Sequence, residues 1–238
     1  METQTRVTKS GTRNLEQRAT PVQPRGARTL TAVLDAAHQI LKTNGVEGLT
    51  TVAVARESGM AVGTVYRLFP NKEAIVCKVY EDKIRLVRAA GREHLLTLRQ
   101  GDDWRAAFRS YVRVLKSAEH SVDFDLSLAT AGFLIPEIHR IDALHAIHMT
   151  DDLVELLKTL GSPWSDTALF ELAMTTYSLE TASWHYANTW GPPTATLAER
   201  LITCALAIIE PAMCGDPEPK GGGIDRARLL ASFGAART

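Results

Sequence analysis

Val62, Gly63, Thr64, Tyr66 and Arg67 are left on the outer faces of a short helix expected over residues 62–68, once Val65 is given to its interior. Their side chains carry a hydroxyl, a phenol and a guanidinium. These groups donate hydrogen bonds to an anion but assemble no nucleophile with its base and no metal-ligand set. Gly63 inside a helix costs about 1 kcal/mol relative to alanine, which asks for a close approach to the backbone, and a groove wall of phosphates is one reason for it. Signatures of bond-making chemistry are missing from the rest of the chain. There is no GxSxG elbow, no glycine loop after a strand to cradle phosphates and no HExxH, and the seven histidines lie apart from any nucleophile-like Ser or Cys arrangement. The expectation is a protein that binds without catalysis, cofactor or metal.

The elements that must hold this helix follow from apolar spacing. Leu30, Val33, Leu34, Ala37, Ile40 and Leu41 recur at helical intervals, and Asn44-Gly45 supplies a stop. Leu49-Thr50-Thr51 offers a capping hydroxyl ahead of a short second helix from Val52 to Glu57, closed by Ser58-Gly59, where the turn requires positive φ. The third helix ends at Phe69-Pro70, because the residue before proline is pushed out of helical geometry. Asn71 then caps a long fourth helix through Ile75, Val76, Val79, Ile84, Val87 and Leu95. Two short helices joined by a tight glycine-containing turn make a helix-turn-helix, with Val54, Ala55, Met60, Val65 and Phe69 as its small interior across the first helix.

Glycine, proline and serine breaks divide the remainder into further helices near residues 103–119, 124–134, 137–160, 166–190 and 194–213. No stretch alternates with a period of two, so the fold expected is all-α, without a sheet. Residues 1–27 lack apolar periodicity and read as a disordered basic arm, while residues 215–238 read as a flexible tail in which 224–233 can form a short appended helix. Formal net charge is zero but unevenly placed: residues 1–28 hold six basic side chains against two acidic, 74–116 ten against five, and 117–238 seven against sixteen. Such a split suits a chain with one end on phosphates and the other facing away from them. Cys77, Cys204 and Cys214 form no CxxC pair and read as free thiols. The polar start lacks the apolar run of a signal peptide and no stretch approaches a membrane span, which leads to the expectation of a cytoplasmic protein with no membrane partner.

Residues 30–76, and above all Leu49-Thr50, Ala55, Ser58-Gly59-Met60, Gly63 to Arg67, Phe69 and Asn71 to Ile75, resemble the DNA-binding domain of the tetracycline-repressor (TetR) family. The resemblance covers about a fifth of the chain. It implies a helix-turn-helix DNA-binding domain over 28–76, an effector-binding and dimerisation domain over 77–214, and a homodimer that binds a palindromic operator of double-stranded DNA until a small-molecule effector releases it. By the same resemblance Thr50 caps the second helix and touches phosphate, Thr64 and Arg67 approach bases or backbone, and Tyr66 and Lys72 contact phosphate. This chain departs from the family pattern at Ala61, where a capping Ser or Thr is frequent, and at Leu68, where an aromatic or His is frequent. Arg18, Arg25 and Arg28 of the arm are candidates to compensate by contacting the minor groove or phosphates. Competing readings are an effector-independent or activating regulator, and an all-α small-molecule carrier or enzyme.

Beyond residue 76 the residues alone say less. Leu197, Leu201, Ala205 and Ile208 make an apolar stripe, with Trp184 and Trp190 as large neighbours, serving either a dimer interface or monomer core. Tyr111, Phe133, Met149, Met174 and Tyr177 are candidates to line a ligand pocket, although such stripes are more often core. Asp142, His145, His148 and Asp152, at spacings of three and four, share one face of the 137–160 helix and form a polar patch that orients a ligand, a metal site, or a solvated surface, the metal being disfavoured without a supporting Cys or a His pair at i, i+4.

Overall fold

The computed structural model describes residues 17–18, 24–124, 126–191, 194–220 and 223–233, except for the side chains of residues 126, 133, 184, 185, 187 and 188. Helices and connecting turns account for these residues, with no strand among them. The first helix, α1 (Pro24–Gly48), opens on a proline, whose preset φ and missing N–H suit a helix start. It therefore begins four residues inside the stretch expected as a disordered arm. Gly45, at φ 66° and ψ −173°, interrupts it at the predicted stop. The next two, α2 (Thr51–Ser58) and α3 (Val62–Leu68), form the hairpin, and α4 (Lys72–Leu95) follows directly. Beyond it come α5 (Trp104–Ser121), α6 (Leu126–Leu134), α7 (Pro136–Thr159), α8 (Asp166–Trp190), α9 (Ala195–Cys214) and α10 (Arg226–Ser232), close to the predicted boundaries.

Burial divides the chain into two cores. The first gathers Val33, Leu41, Leu49, Val54, Val65, Phe69 and Ile75 from α1 to α4, and it is completed by Leu128 of α6 and Ile138 of α7. The helix-turn-helix thus does not close upon itself at residue 76; two helices of the following segment supply part of its interior. The second core joins Leu95, Phe108, Leu153, Leu156, Leu157, Trp164, Leu169 and Ile209. Only α4 among the first four helices contributes to both cores.

Polar contacts hold α4 against α7. Asp152 is only 1% exposed, and a carboxylate so buried must be paired. It receives Arg88 through Nε at 2.7 Å and Nη2 at 2.9 Å, and Arg92 through Nη1 at 3.1 Å, while Arg92 also pairs with Glu155. The described part of the tail is fastened rather than free, contrary to the expectation for 215–238. Trp164 donates its indole N–H to the Asp216 carbonyl at 2.8 Å, the Glu218 carboxylate accepts from the Ser165 N–H and hydroxyl at 2.7 and 2.6 Å, and Arg226 grips Asp151 in a bidentate pair at 2.7 Å. The last of these docks α10 on α7.

Replacing Asp152 with alanine is expected to destabilise the fold by about 1–3 kcal/mol, less than the cost of breaking a fully buried pair because both guanidiniums are partly exposed and rehydrate. Urea denaturation monitored by circular dichroism reads the loss. A midpoint unchanged from wild type would show that the clamp contributes nothing.

Candidate nucleic-acid interface and adjoining cavity

The reading helix is presented by caps on either side of it. Thr50 accepts the Ala53 N–H at 3.0 Å and so starts α2. At the other end Gly59, at φ 68°, carries the chain through the left-handed turn, and the Met60 N–H returns to the Ala55 carbonyl at 2.9 Å. No side chain caps α3, since Ala61 occupies that place. Asn71 accepts from the Ala74 N–H at 2.8 Å and restarts the chain as α4. The outer faces of α3 are open: Val62 is 38% and Tyr66 44% exposed, Gly63 and Arg67 are exposed, and Thr64 is half-buried. A Cβ built on Gly63 would meet nothing within 4 Å, so no internal contact demands glycine there.

Several of these side chains are already oriented. The Tyr66 hydroxyl accepts from the Thr51 hydroxyl at 3.0 Å, which aims the phenol along the α2–α3 edge. Lys72 lies at the start of α4, with its ammonium donating to the Val46 carbonyl at 3.3 Å beside the end of α1. Arg28 and Arg25 are exposed on the first turns of α1. Arg18 behaves otherwise than expected: its N–H donates to the Leu68 carbonyl at 2.7 Å and its guanidinium to the Tyr66 carbonyl at 3.2 Å. It satisfies orphan carbonyls at the C-terminus of the reading helix.

Beyond this head, α4 to α9, with Phe124 of the α5–α6 turn, line a cavity of about 230 Å³. Of the residues proposed for a pocket, Tyr111, His145, Met149 and Tyr177 line it. His148 is exposed and Met174 is engaged by the Thr150 hydroxyl at 3.8 Å from its sulfur; neither lines the cavity. The side chain of Phe133 lies outside the described residues, as does that of Trp184. The four polar residues of α7 therefore do not share one environment. Asp142 and His145 face the cavity, His148 faces solvent and Asp152 is buried in the arginine clamp. Trp190 is 76% exposed, Ala205 and Leu201 turn to the cavity, and Leu197 and Ile208 are half-buried.

Sequence reasoning missed the cavity groups on α4 and α5. Tyr80 donates its hydroxyl to Asp142 at 2.8 Å and stacks edge-on against Phe124 at 5.6 Å. Lys116 pairs with Glu119 at 3.1 Å and with Glu180. Burial holds His145 well below its ordinary value, at about 4, helped by the nearby Arg88 and His148 charges and opposed by Asp152. Burial raises Asp142 and Glu119, against the Tyr80 hydroxyl and Lys116 respectively. Among the described residues no cluster of His, Cys, Asp and Glu is arranged to hold a metal, and no helix is long and apolar enough to cross a membrane.

A helix-turn-helix with donors on its open faces, joined by one long helix to an α-helical domain around a cavity, is the architecture of a helix-turn-helix DNA-binding protein. Residues 33–78 match the family described as bacterial regulatory proteins, tetR family. The HTH-type transcriptional regulator YvkB of Bacillus subtilis (strain 168) is 25% identical over 130 residues, covering 54% of this chain and 66% of YvkB, a little under two thirds of that relative. The solved structure of a candidate TetR-family regulator from Mesorhizobium loti MAFF303099 superposes with a TM-score of 0.64 at 18% identity, over 81% of this chain and 98% of that one. A TetR-family regulator from Streptomyces coelicolor gives 0.55 at 21% identity, over 78% and 98%. The structural likenesses are likenesses of fold. Residues 33–78 thus match the tetR-family DNA-binding head, and the chain as a whole shares the fold of solved TetR-family regulators.

The depressed His145 value makes stability pH-dependent with a definite sign. The unfolded chain takes up this proton near 6.5 and the folded chain only near 4, so between those values unfolding binds protons and stability falls as the pH drops. Denaturation of wild type and His145→Phe at pH 7 and pH 5 is expected to show a smaller acid loss in the variant. Equal losses would mean that the buried imidazole does not carry the effect.

Proposed function

We propose that the chain is a ligand-released repressor, which binds a palindromic operator as a homodimer through α2 and α3 and leaves it when a small molecule occupies the cavity. The observation that carries this reading is the continuity of α4. Lys72, at its first turn, stands beside the reading helix, while Tyr80, Ile84 and Val87, two to four turns along the same rod, line the cavity. A ligand that prefers one placement of α4 changes the spacing of the two reading heads, and DNA affinity falls by its differential binding energy, about 1–3 kcal/mol in typical couplings.

On this reading Tyr66, Lys72 and Thr50 position the head on phosphates, with Arg28 beside them at the base of α1, while Val62, Gly63, Thr64 and Arg67 lie nearest the bases. The Tyr66 phenol is set for this by Thr51. Lys72 exchanges its carbonyl partner for a phosphate at little cost, because a 3.3 Å bond from an ammonium to one carbonyl leaves other donor directions open. Two-fold symmetry follows from operators whose half-sites lie about 34–36 Å apart. The half-buried Leu197 and Ile208 of α9 and the exposed Trp190 at the end of α8 are the surface offered to a second copy.

Gel shifts on the DNA flanking the gene, run across a salt series, test the head. Tyr66→Phe is expected to weaken binding with the slope of log affinity against log salt unchanged, because the phenol is neutral, whereas Lys72→Ala is expected to weaken binding and to lower that slope by roughly one. Wild-type affinity and slope in both variants would reject the proposed interface.

A further inference from the structure

The cavity carries a charge imbalance that selects among ligands. Asp142, Glu119 and Glu180 line it, against Lys116 as its one permanent cation among the described residues. Lys116 is committed to Glu119 and Glu180. Asp142 has only the Tyr80 hydroxyl as a hydrogen-bond partner and no ion-pair partner among the described residues. It is half-buried, with the His139 imidazole of the same helix as the titratable base acting on it, and a half-buried carboxylate without a permanent counter-charge is the kind of site that a cation entering from solution relieves. His145, one turn along the same face of α7, has no hydrogen-bond partner among the described residues and meets Tyr177 edge-on at 6.4 Å. A neutral imidazole always presents one ring nitrogen as an acceptor. An anionic ligand would face three carboxylates, with the single ammonium already engaged.

We infer that the cavity binds a small amphipathic amine, whose protonated nitrogen donates N–H bonds to the Asp142 carboxylate and to the unprotonated ring nitrogen of His145. Its apolar body lies against Phe108, Met149 and Tyr177. This inference deepens the effector reading above and rests on it only for the consequence at DNA. The volume of about 230 Å³ lies below the roughly 300–1,000 Å³ of pockets for drug-sized molecules, so the ligand is compact. Tyr80 competes for the same carboxylate. An ammonium displaces its hydroxyl because a charged donor outweighs a neutral one in a water-poor site, and the displaced contact is one that joins α4 to α7.

Isothermal titration of the full-length protein with four matched probes tests the site: 2-phenylethylamine, its N,N,N-trimethyl derivative, 2-phenylethanol and 3-phenylpropanoate. The primary amine is expected to bind most tightly, since the quaternary ion has no N–H to donate and the alcohol has no charge. Asp142→Asn, which keeps a partner for Tyr80, should weaken the amine by about tenfold or more. Tyr80→Phe should tighten it, because the competing hydroxyl is gone, and a merely structural role for Tyr80 predicts no such gain. The inference is overturned if the alcohol or the carboxylate binds as well as the amine, if the quaternary ion matches it, if Asp142→Asn leaves the amine unaffected, or if no probe amine binds. A parallel gel shift separates the two readings. Amine binding without operator release would support this site and reject ligand-released repression, whereas release by the carboxylate alone would uphold the repressor and reject the amine.

Discussion

Twenty-four residues of helix, about 36 Å of stiff backbone, run from Lys72 beside the helix-turn-helix to Leu95 in the second core. Packed interiors do not deform continuously, so a rod shared by two cores moves as a unit or not at all. Ala74, Ile75, Val76 and Val79 tie its first turns into the DNA-binding head; Leu95 ties its last turn into the second core. Tyr80, Ile84 and Val87 between them face the cavity. Whatever occupies that space therefore bears on the same helix that starts beside the reading surface.

The contacts that pin this rod differ in strength and in access. The clamp of Arg88 and Arg92 on Asp152 is charged and bidentate, with the carboxylate buried and the guanidiniums partly exposed, and it holds α4 to α7. The Tyr80 bond to Asp142 is a single contact from a neutral hydroxyl inside the cavity, open to competition. A third attachment lies at the α5–α6 turn. Lys42 of α1 pairs with Asp123 at 2.6 Å and Lys83 of α4 donates to the Val122 carbonyl, while the next residue, Phe124, stacks on Tyr80. Lys42 holds the Asp123 carboxyl below its ordinary range, so this link persists well into acid. On α4 the charged clamp thus lies towards the C-terminal end, and both weaker attachments, at Tyr80 and Lys83, lie between it and the helix-turn-helix.

The helix-turn-helix was legible because its determinants are local. Thr50 and Asn71 as caps, Gly59 as a left-handed turn and the proline after Phe69 each act within four residues of themselves, and the structure uses the caps and the glycine turn as read. The larger domain was legible only as a count of helices. Its polar face on α7 looked uniform in sequence, with Asp142, His145, His148 and Asp152 at helical intervals, yet the first two meet the cavity, the third meets solvent and the last meets two arginines. Tyr80 and Phe108 sit at ordinary core spacing, and nothing in that spacing distinguishes a residue that faces a void from one that faces another side chain.

By itself the sequence determined the all-α class, the order of the helices and the residues on the outer faces of α3, since capping, turn conformation and apolar periodicity are set by neighbours along the chain. Tertiary structure alone decided that α6 and α7 complete the head's core, that Arg18 closes the end of α3 and that Tyr80, Asp142 and His145 meet across one cavity. Those meetings join residues about 50 to 100 positions apart, and their partners are selected by how helices cross rather than by anything written within a single turn.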